Sequence, residues 1–174
     1  MLTARLHQLS ASEPRGMISF GPLRAPCAIG PAGVRAIKRE GDGATPHGVW
    51  PLRLVHYRAD KVRRPRTMLP LRCLRPPDGW CDAAGDRNYN RRVALPYRAS
   101  AESLWRDDDL YDLIVELGYN DAPRSLGRGS AIFMHVARPD FAPTAGCIAL
   151  RQDDLLALIE LPDPPRWIDT RRAG

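Results

Sequence analysis

The chain has no run of about 18 consecutive apolar residues, the length a helix needs to cross a bilayer, so no membrane-spanning helix is expected. It is poor in phenylalanine, with three among 174 residues, which leaves Leu, Ile, Val and Ala to fill a core. Cysteine is sparse: Cys27, Cys73, Cys81 and Cys147 show no Cys-x-x-Cys pair and no regular framework. The four histidines lie far from any cysteine pair of ligand spacing, so a zinc site is not expected. A Cys73–Cys81 disulfide in an oxidising compartment is left open. The N-terminus lacks the uninterrupted apolar stretch of a secretory signal, which keeps cytoplasmic residence open as well.

What the chain does have is arginine, proline and glycine. The formal charge of +6 is carried mostly by arginines spread along the sequence, and the densest run, Arg63-Arg64-Pro65-Arg66, is short and broken by proline. No RNA-binding aromatic signature, helix-turn-helix pattern or zinc-finger spacing accompanies them, so a nucleic-acid partner is not expected. Attraction to an anionic polymer, or solubility, accounts for the charge as well. Seventeen prolines and fourteen glycines interrupt the chain often enough to favour short strands and turns over long helices.

Alternation and turn residues predict strands over residues 2–9, 16–20, 24–29, 34–39 and 49–57. Residues 40–48, with three glycines and a proline, read as a loop; they lack the Gly-Lys-Ser/Thr end of a phosphate-binding loop. Residues 59–92 show no sustained period and read as a long irregular segment, which in a compact domain is often functional. Ser100, with Glu102 behind it, reads as the N-cap of a short helix to about Asp108. Strands follow over 110–117, 129–137 and 146–150, a helix over 153–161 and a last strand over 166–170. No repeat or composition break marks a boundary. The expectation is one mostly-β (α+β) domain over residues 1–174 with a few short helices.

The stretch that carries chemistry is Gly129-Ser130-Ala131-Ile132-Phe133-Met134-His135, followed after a loop by Thr144-Ala145-Gly146-Cys147-Ile148-Ala149-Leu150. His135 ends one apolar strand and Cys147 begins the next. If the two strands pair, their backbones lie about 4.8 Å apart and the two side chains come within reach of each other. Thiol catalysis needs that arrangement, because the thiolate is the nucleophile and an adjacent imidazole lowers the thiol pKa and returns a proton. Gly146 lets the chain turn closely enough to present N–H donors to a developing oxyanion. No carboxylate is evident as an orienting partner for His135; Asp140 lies in the intervening loop, and a backbone carbonyl would also serve. Taken alone, a histidine at a strand end and a buried cysteine are ordinary structural residues.

The run from residue 135 to 150 resembles the active-site motif of L,D-transpeptidases of the YkuD type, where a histidine is followed by Ser or Thr, a variable residue, Gly-Cys and an apolar residue. Further segments, in order, resemble a compact single-domain branch of that family: Ala28-Ile29-Gly30, Lys38-Arg39-Glu40-Gly41-Asp42-Gly43-Ala44-Thr45-Pro46, Trp80-Cys81-Asp82, Tyr89-Asn90-Arg91 and Tyr119-Asn120. The resemblance implies a β-sandwich or barrel in which Cys147 is the acylated nucleophile and His135 its base. Thr144 and Gly146 would be supporting residues, with N–H groups near Cys147 forming the oxyanion hole. It implies a thioester with a peptidoglycan stem peptide and transfer to the diaminopimelate amine of another stem, with no metal or cofactor; carbapenems acylate the same cysteine in many members. Ala145 stands where the commoner motif has histidine, and Ala149 where it often has Arg or Asn. The branch sharing these changes includes enzymes proposed to make 1,3 links, which is the variant favoured here. A periplasmic location follows from such a substrate, and a monomer is expected.

Outside that motif, Trp80, Tyr89, Asn90 and Arg91 are expected to line a substrate site, since an aromatic anchor beside an arginine suits a peptide carboxylate. Asn120, Thr144 and Ala145 are placed in the same group. Cys81 reads as structural, because Asp82 beside it raises a thiol pKa. Two other outcomes stay open: an L,D-carboxypeptidase that passes the same acyl-enzyme to water, and a non-catalytic wall-binding protein.

Overall fold

The computed structural model describes residues 2–10 and 13–171. In chain order its strands are β1 (Thr3–Gln8), β2 (Arg15–Phe20), β3 (Leu23–Ala28), β4 (Val34–Arg35), β5 (Thr45–Pro46), β6 (Val49–Tyr57) and β7 (Leu71–Cys73). They continue as β8 (Asp78–Cys81), β9 (Arg91–Ala94), β10 (Ala101–Ser103), β11 (Leu113–Leu117), β12 (Phe133–Val136), β13 (Ile148–Leu150) and β14 (Trp167–Asp169). Among the described residues there is one α-helix, α1 (Gln152–Ile159), which follows β13, and one 3-10 turn, Asp109–Tyr111. The mostly-β expectation is met.

The main sheet has nine strands in the order β11-β12-β13-β3-β2-β1-β14-β6-β7, and β11 also pairs with β6. That second pairing closes the sheet on itself and removes the open edge β11 would otherwise present. Most neighbours run antiparallel; β12 and β13 run parallel, with Met134 opposite Ile148 and His135 opposite Ala149. A parallel pair needs a crossover, and the loop from residue 137 to 147 supplies it.

Side chains alternate across the three strands that matter most. Leu113, Val115, Met134, Val136, Ile148 and Leu150 enter the principal apolar core, where α1 contributes Leu155, Leu158 and Ile159. On the other face, Ile114, Phe133 and Cys147 join a second, smaller cluster with Leu74, Trp80, Leu104 and Tyr111. His135 and Ala149 share the face of Phe133 and Cys147, two residues further on. Over this face lies a three-stranded sheet in the order β10-β8-β9, and Trp80 of β8 packs edge-on to Phe133 with ring centroids 5.0 Å apart.

Two expectations for the middle of the chain are corrected. The irregular segment of 59–92 contains β7, β8 and the start of β9. The helix over 100–108 does not form. Residues 101–103 are β10, paired with β8 so that Glu102 lies opposite Trp80 and Ser103 opposite Gly79. The local capping signal lost to a tertiary edge: Gly79, whose Cβ would lie 2.8 Å from the Leu95 side chain and 3.2 Å from the Glu102 carbonyl, lets the strands close up. The cap in this region is Asp108, which accepts from the Leu110 N–H at the start of the 3-10 turn. The strand expected over 34–39 is confined to Val34–Arg35. Cys73 and Cys81 are both free thiols, the first exposed and the second buried.

Candidate active site

The turn before Cys147 is built from short-range bonds. The Thr144 hydroxyl donates to the Cys147 carbonyl at 2.7 Å and accepts from the Gly146 N–H at 3.1 Å, so one side chain staples three residues. Its own N–H reaches the Ile29 carbonyl at 3.1 Å. Gly146 adopts φ 130°, in the region L side chains avoid, and a Cβ there would lie 2.5 Å from the Ala44 carbonyl oxygen. The glycine is thus required by two constraints at once. The loop 40–48 therefore packs directly behind Cys147. Because the Gly146 N–H is taken up by Thr144, this residue shapes the turn and does not supply a free oxyanion donor.

Cys147 is 7% exposed and its sulfur bonds across to the preceding loop. The thiol donates to the Ala131 carbonyl at 3.1 Å, and the Phe133 N–H donates to the sulfur at 3.4 Å. Ala131 can aim its carbonyl this way because it sits at φ 52°. Burial pushes the thiol up to about 12, against a smaller downward pull from the Phe133 amide.

His135 is 6% exposed. Its Nδ1 lies 2.8 Å from the Val136 carbonyl, and since a carbonyl only accepts, Nδ1 carries the proton and Nε2 keeps the lone pair. The orienting partner is thus a backbone carbonyl and not Asp140. The Tyr111 ring stands edge-on to the imidazole with centroids 5.4 Å apart. Burial lowers the imidazole to about 4, outweighing the carbonyls of Val136 and Leu110, which favour the cation. At neutral pH the resting pair is therefore neutral thiol and neutral imidazole. The rise of the thiol comes from its burial, and its hydrogen goes to the Ala131 carbonyl.

His135 and Cys147 nonetheless open onto one cavity of about 190 Å³, whose wall includes Tyr111, Thr144, Ala145 and Ala149. A larger cleft of about 830 Å³ adjoins it and shares Leu110 and Arg138. Among the described residues no cluster of His, Cys, Asp and Glu has the arrangement of a metal site, and no helix is long and apolar enough to cross a membrane.

The remaining expected residues fall elsewhere. Trp80, Tyr89 and Asn90 are buried behind the loop 129–131 and not on the cavity wall. The Asn90 carbonyl oxygen accepts from the Trp80 indole and from the Ala131 N–H, both at 3.1 Å, while its amide donates to the Tyr119 and Asn120 carbonyls. Asn120 donates to the Gly129 and Ser125 carbonyls, and the Tyr89 hydroxyl accepts from the Gly129 N–H and donates to Glu40. These residues hold the carbonyl that holds the sulfur. Arg91 is exposed on β9. Sequence reading missed Tyr111, Glu102, Arg106 and Arg138. The Tyr111 hydroxyl donates to Glu102 at 3.1 Å, and desolvation pushes that carboxyl up to about 7. Only the tertiary crossing of the 3-10 turn over β12 reveals them.

The model of the YkuD family, the L,D-transpeptidase catalytic domain, matches residues 20–167. The chain belongs to this family. No curated protein and no solved structure matches it. The match spans both cavity residues, the loop 40–48 and the segment that folds over them.

Proposed function

We propose that the chain acts as one catalytic domain, a peptidoglycan L,D-transpeptidase with Cys147 as nucleophile and His135 as general base, working where cell-wall polymer is exposed. The observation that carries this reading is the shared cavity of the thiol and the imidazole within the family-matched segment. A donor stem peptide enters, the sulfur leaves the Ala131 carbonyl, and Nε2 of His135 takes its proton as the S–C bond forms. Backbone N–H groups beside Cys147 receive the oxyanion. The C–N bond then breaks, His135 gives the proton to the departing amine, and a thioester remains. The diaminopimelate amine of a second stem attacks the thioester and regenerates the thiol. Ala145 and Ala149 present small side chains to the cavity where a bulkier group would narrow it, which suits the 1,3-linking variant. Carbapenems would acylate the same sulfur.

Incubation of purified sacculi with the protein, followed by mass spectrometry of the muropeptides, tests the reading. New L-Ala–diaminopimelate dimers are expected with wild type and none with Cys147→Ala. Trimmed monomers without dimers would make it an L,D-carboxypeptidase, and unchanged muropeptides would leave only a wall-binding role.

A further inference from the structure

The cavity at Cys147 is one-sided in charge. Among the described residues its wall carries two guanidinium groups, Arg106 and Arg138, and no aspartate or glutamate, whereas the adjoining cleft is lined by Asp107, Asp108, Asp109, Asp112 and Asp153. The two arginines differ in their commitments. Arg106 is held by Asp108 through paired bonds of 2.8 and 2.6 Å and lies over the Tyr111 ring at 5.2 Å. That pairing, with further help from the field of Arg138, keeps the Asp108 carboxyl low, so Asp108 is already spoken for by Arg106. Arg138 is exposed and makes no hydrogen bond or ion pair through its side chain among the described residues.

Its backbone, by contrast, is fixed. The Phe141 N–H returns to the Arg138 carbonyl at 2.9 Å, Arg15 donates to the Asp140 carbonyl at 3.2 Å, and Arg151 lies over the Phe141 ring at 5.6 Å. The loop is pinned on both sides while the guanidinium at its start stays free. Arg138 also borders the adjoining cleft, so it stands where the two openings meet. A planar fork of donors with no hydrogen-bond partner among the described residues, on a fixed loop beside the nucleophile, suits bidentate recognition of a carboxylate.

We propose that Arg138 is a specificity-determining residue that binds a carboxylate of the acyl donor and thereby seats the scissile carbonyl at Cys147. The proposal rests on the transpeptidase reading and names the feature of the donor that this site selects. Arg106, neutralised by Asp108, supports the cavity wall and is not the recognition group.

The test uses synthetic stem peptides as donors, one with all carboxylates free and others with a single carboxylate converted to carboxamide. Acyl-enzyme formation is followed by intact mass with wild type, Arg138→Gln and Arg138→Lys. Arg138→Gln is expected to lower kcat/KM for the free peptide by about 10- to 100-fold, mainly through KM, the range set by a charge-assisted hydrogen bond. One amidated peptide should show the same loss with wild type and no further loss with Arg138→Gln, and Arg138→Lys should recover part of the rate. Equal losses for all peptides, or no loss, would overturn the proposal. Failure of wild type to form an acyl-enzyme with any peptide would instead overturn the transpeptidase reading beneath it.

Discussion

The two apolar clusters of this molecule share three strands and differ in almost everything else. The principal core takes Met134, Val136, Ile148 and Leu150, and the side chains it receives are apolar. The smaller cluster takes the intervening positions, Phe133 and Cys147, with His135 and Ala149 beside them and the Tyr111–Glu102 pair against them. Strand period separates the two tasks residue by residue: one face supplies stability, and the other holds a buried thiol and imidazole that oppose ionisation. A site placed on rigid strands keeps its geometry, while the loops 129–131 and 144–146 set the approach to the sulfur.

The sharpest way to break that division is to cut each face in turn. Met134→Ala should cost about 2–5 kcal/mol in urea unfolding, while the protein that remains folded acylates at close to the wild-type rate. Should acylation fall by orders of magnitude in the folded fraction, the faces are not separate. Gly146→Ala lies between the faces. Its Cβ meets the Ala44 carbonyl at an unfavourable φ, so a loss of about 3 kcal/mol and of most activity is expected together.

Titration sharpens the comparison further. His135, lowered from 6.5 to about 4, leaves the unfolded chain binding more protons between those values, so it removes stability as pH falls through the window, on the order of 3 kcal/mol in all. Glu102, raised from 4.5 to about 7, acts in the opposite sense, removing stability as pH rises from 4.5 to 7. The two offset each other where the windows overlap. Glu102→Gln should therefore make thermal stability fall more steeply toward acid, and His135→Gln should make it fall toward neutrality. Parallel pH curves for wild type and both variants would contradict the burial of these groups. The smallest effect is expected at Asn90→Ala, which removes the acceptor for the Ala131 N–H at a cost of about 2 kcal/mol, read by thermal unfolding, and loosens the carbonyl that anchors the sulfur.

Much of this was legible before the fold was known. The strand carrying His135 and the one that follows Cys147 announce themselves by apolar runs between Gly-rich turns, and Gly146 by its place before the cysteine. Trp80, Tyr89 and Asn90 stood out as unusual residues in an irregular segment, yet their side chains point to a loop backbone that no local pattern reveals. The helix expected at Ser100 failed because β8 offered an edge to pair with, a tertiary gain that outweighs a capping residue. Tyr111 and Arg138 gave no signal, since an aromatic near a strand and an arginine in a loop are ordinary until the chain folds them around one cavity.

The most direct test of the central claim is acylation of the intact protein by a stem peptide, with the adduct mapped by digestion. A thioester on the peptide containing Cys147 is predicted for wild type, none for Cys147→Ala, and formation about 100- to 10,000-fold slower for His135→Gln. An adduct on Cys27, Cys73 or Cys81, or an undiminished rate in either variant, would contradict it.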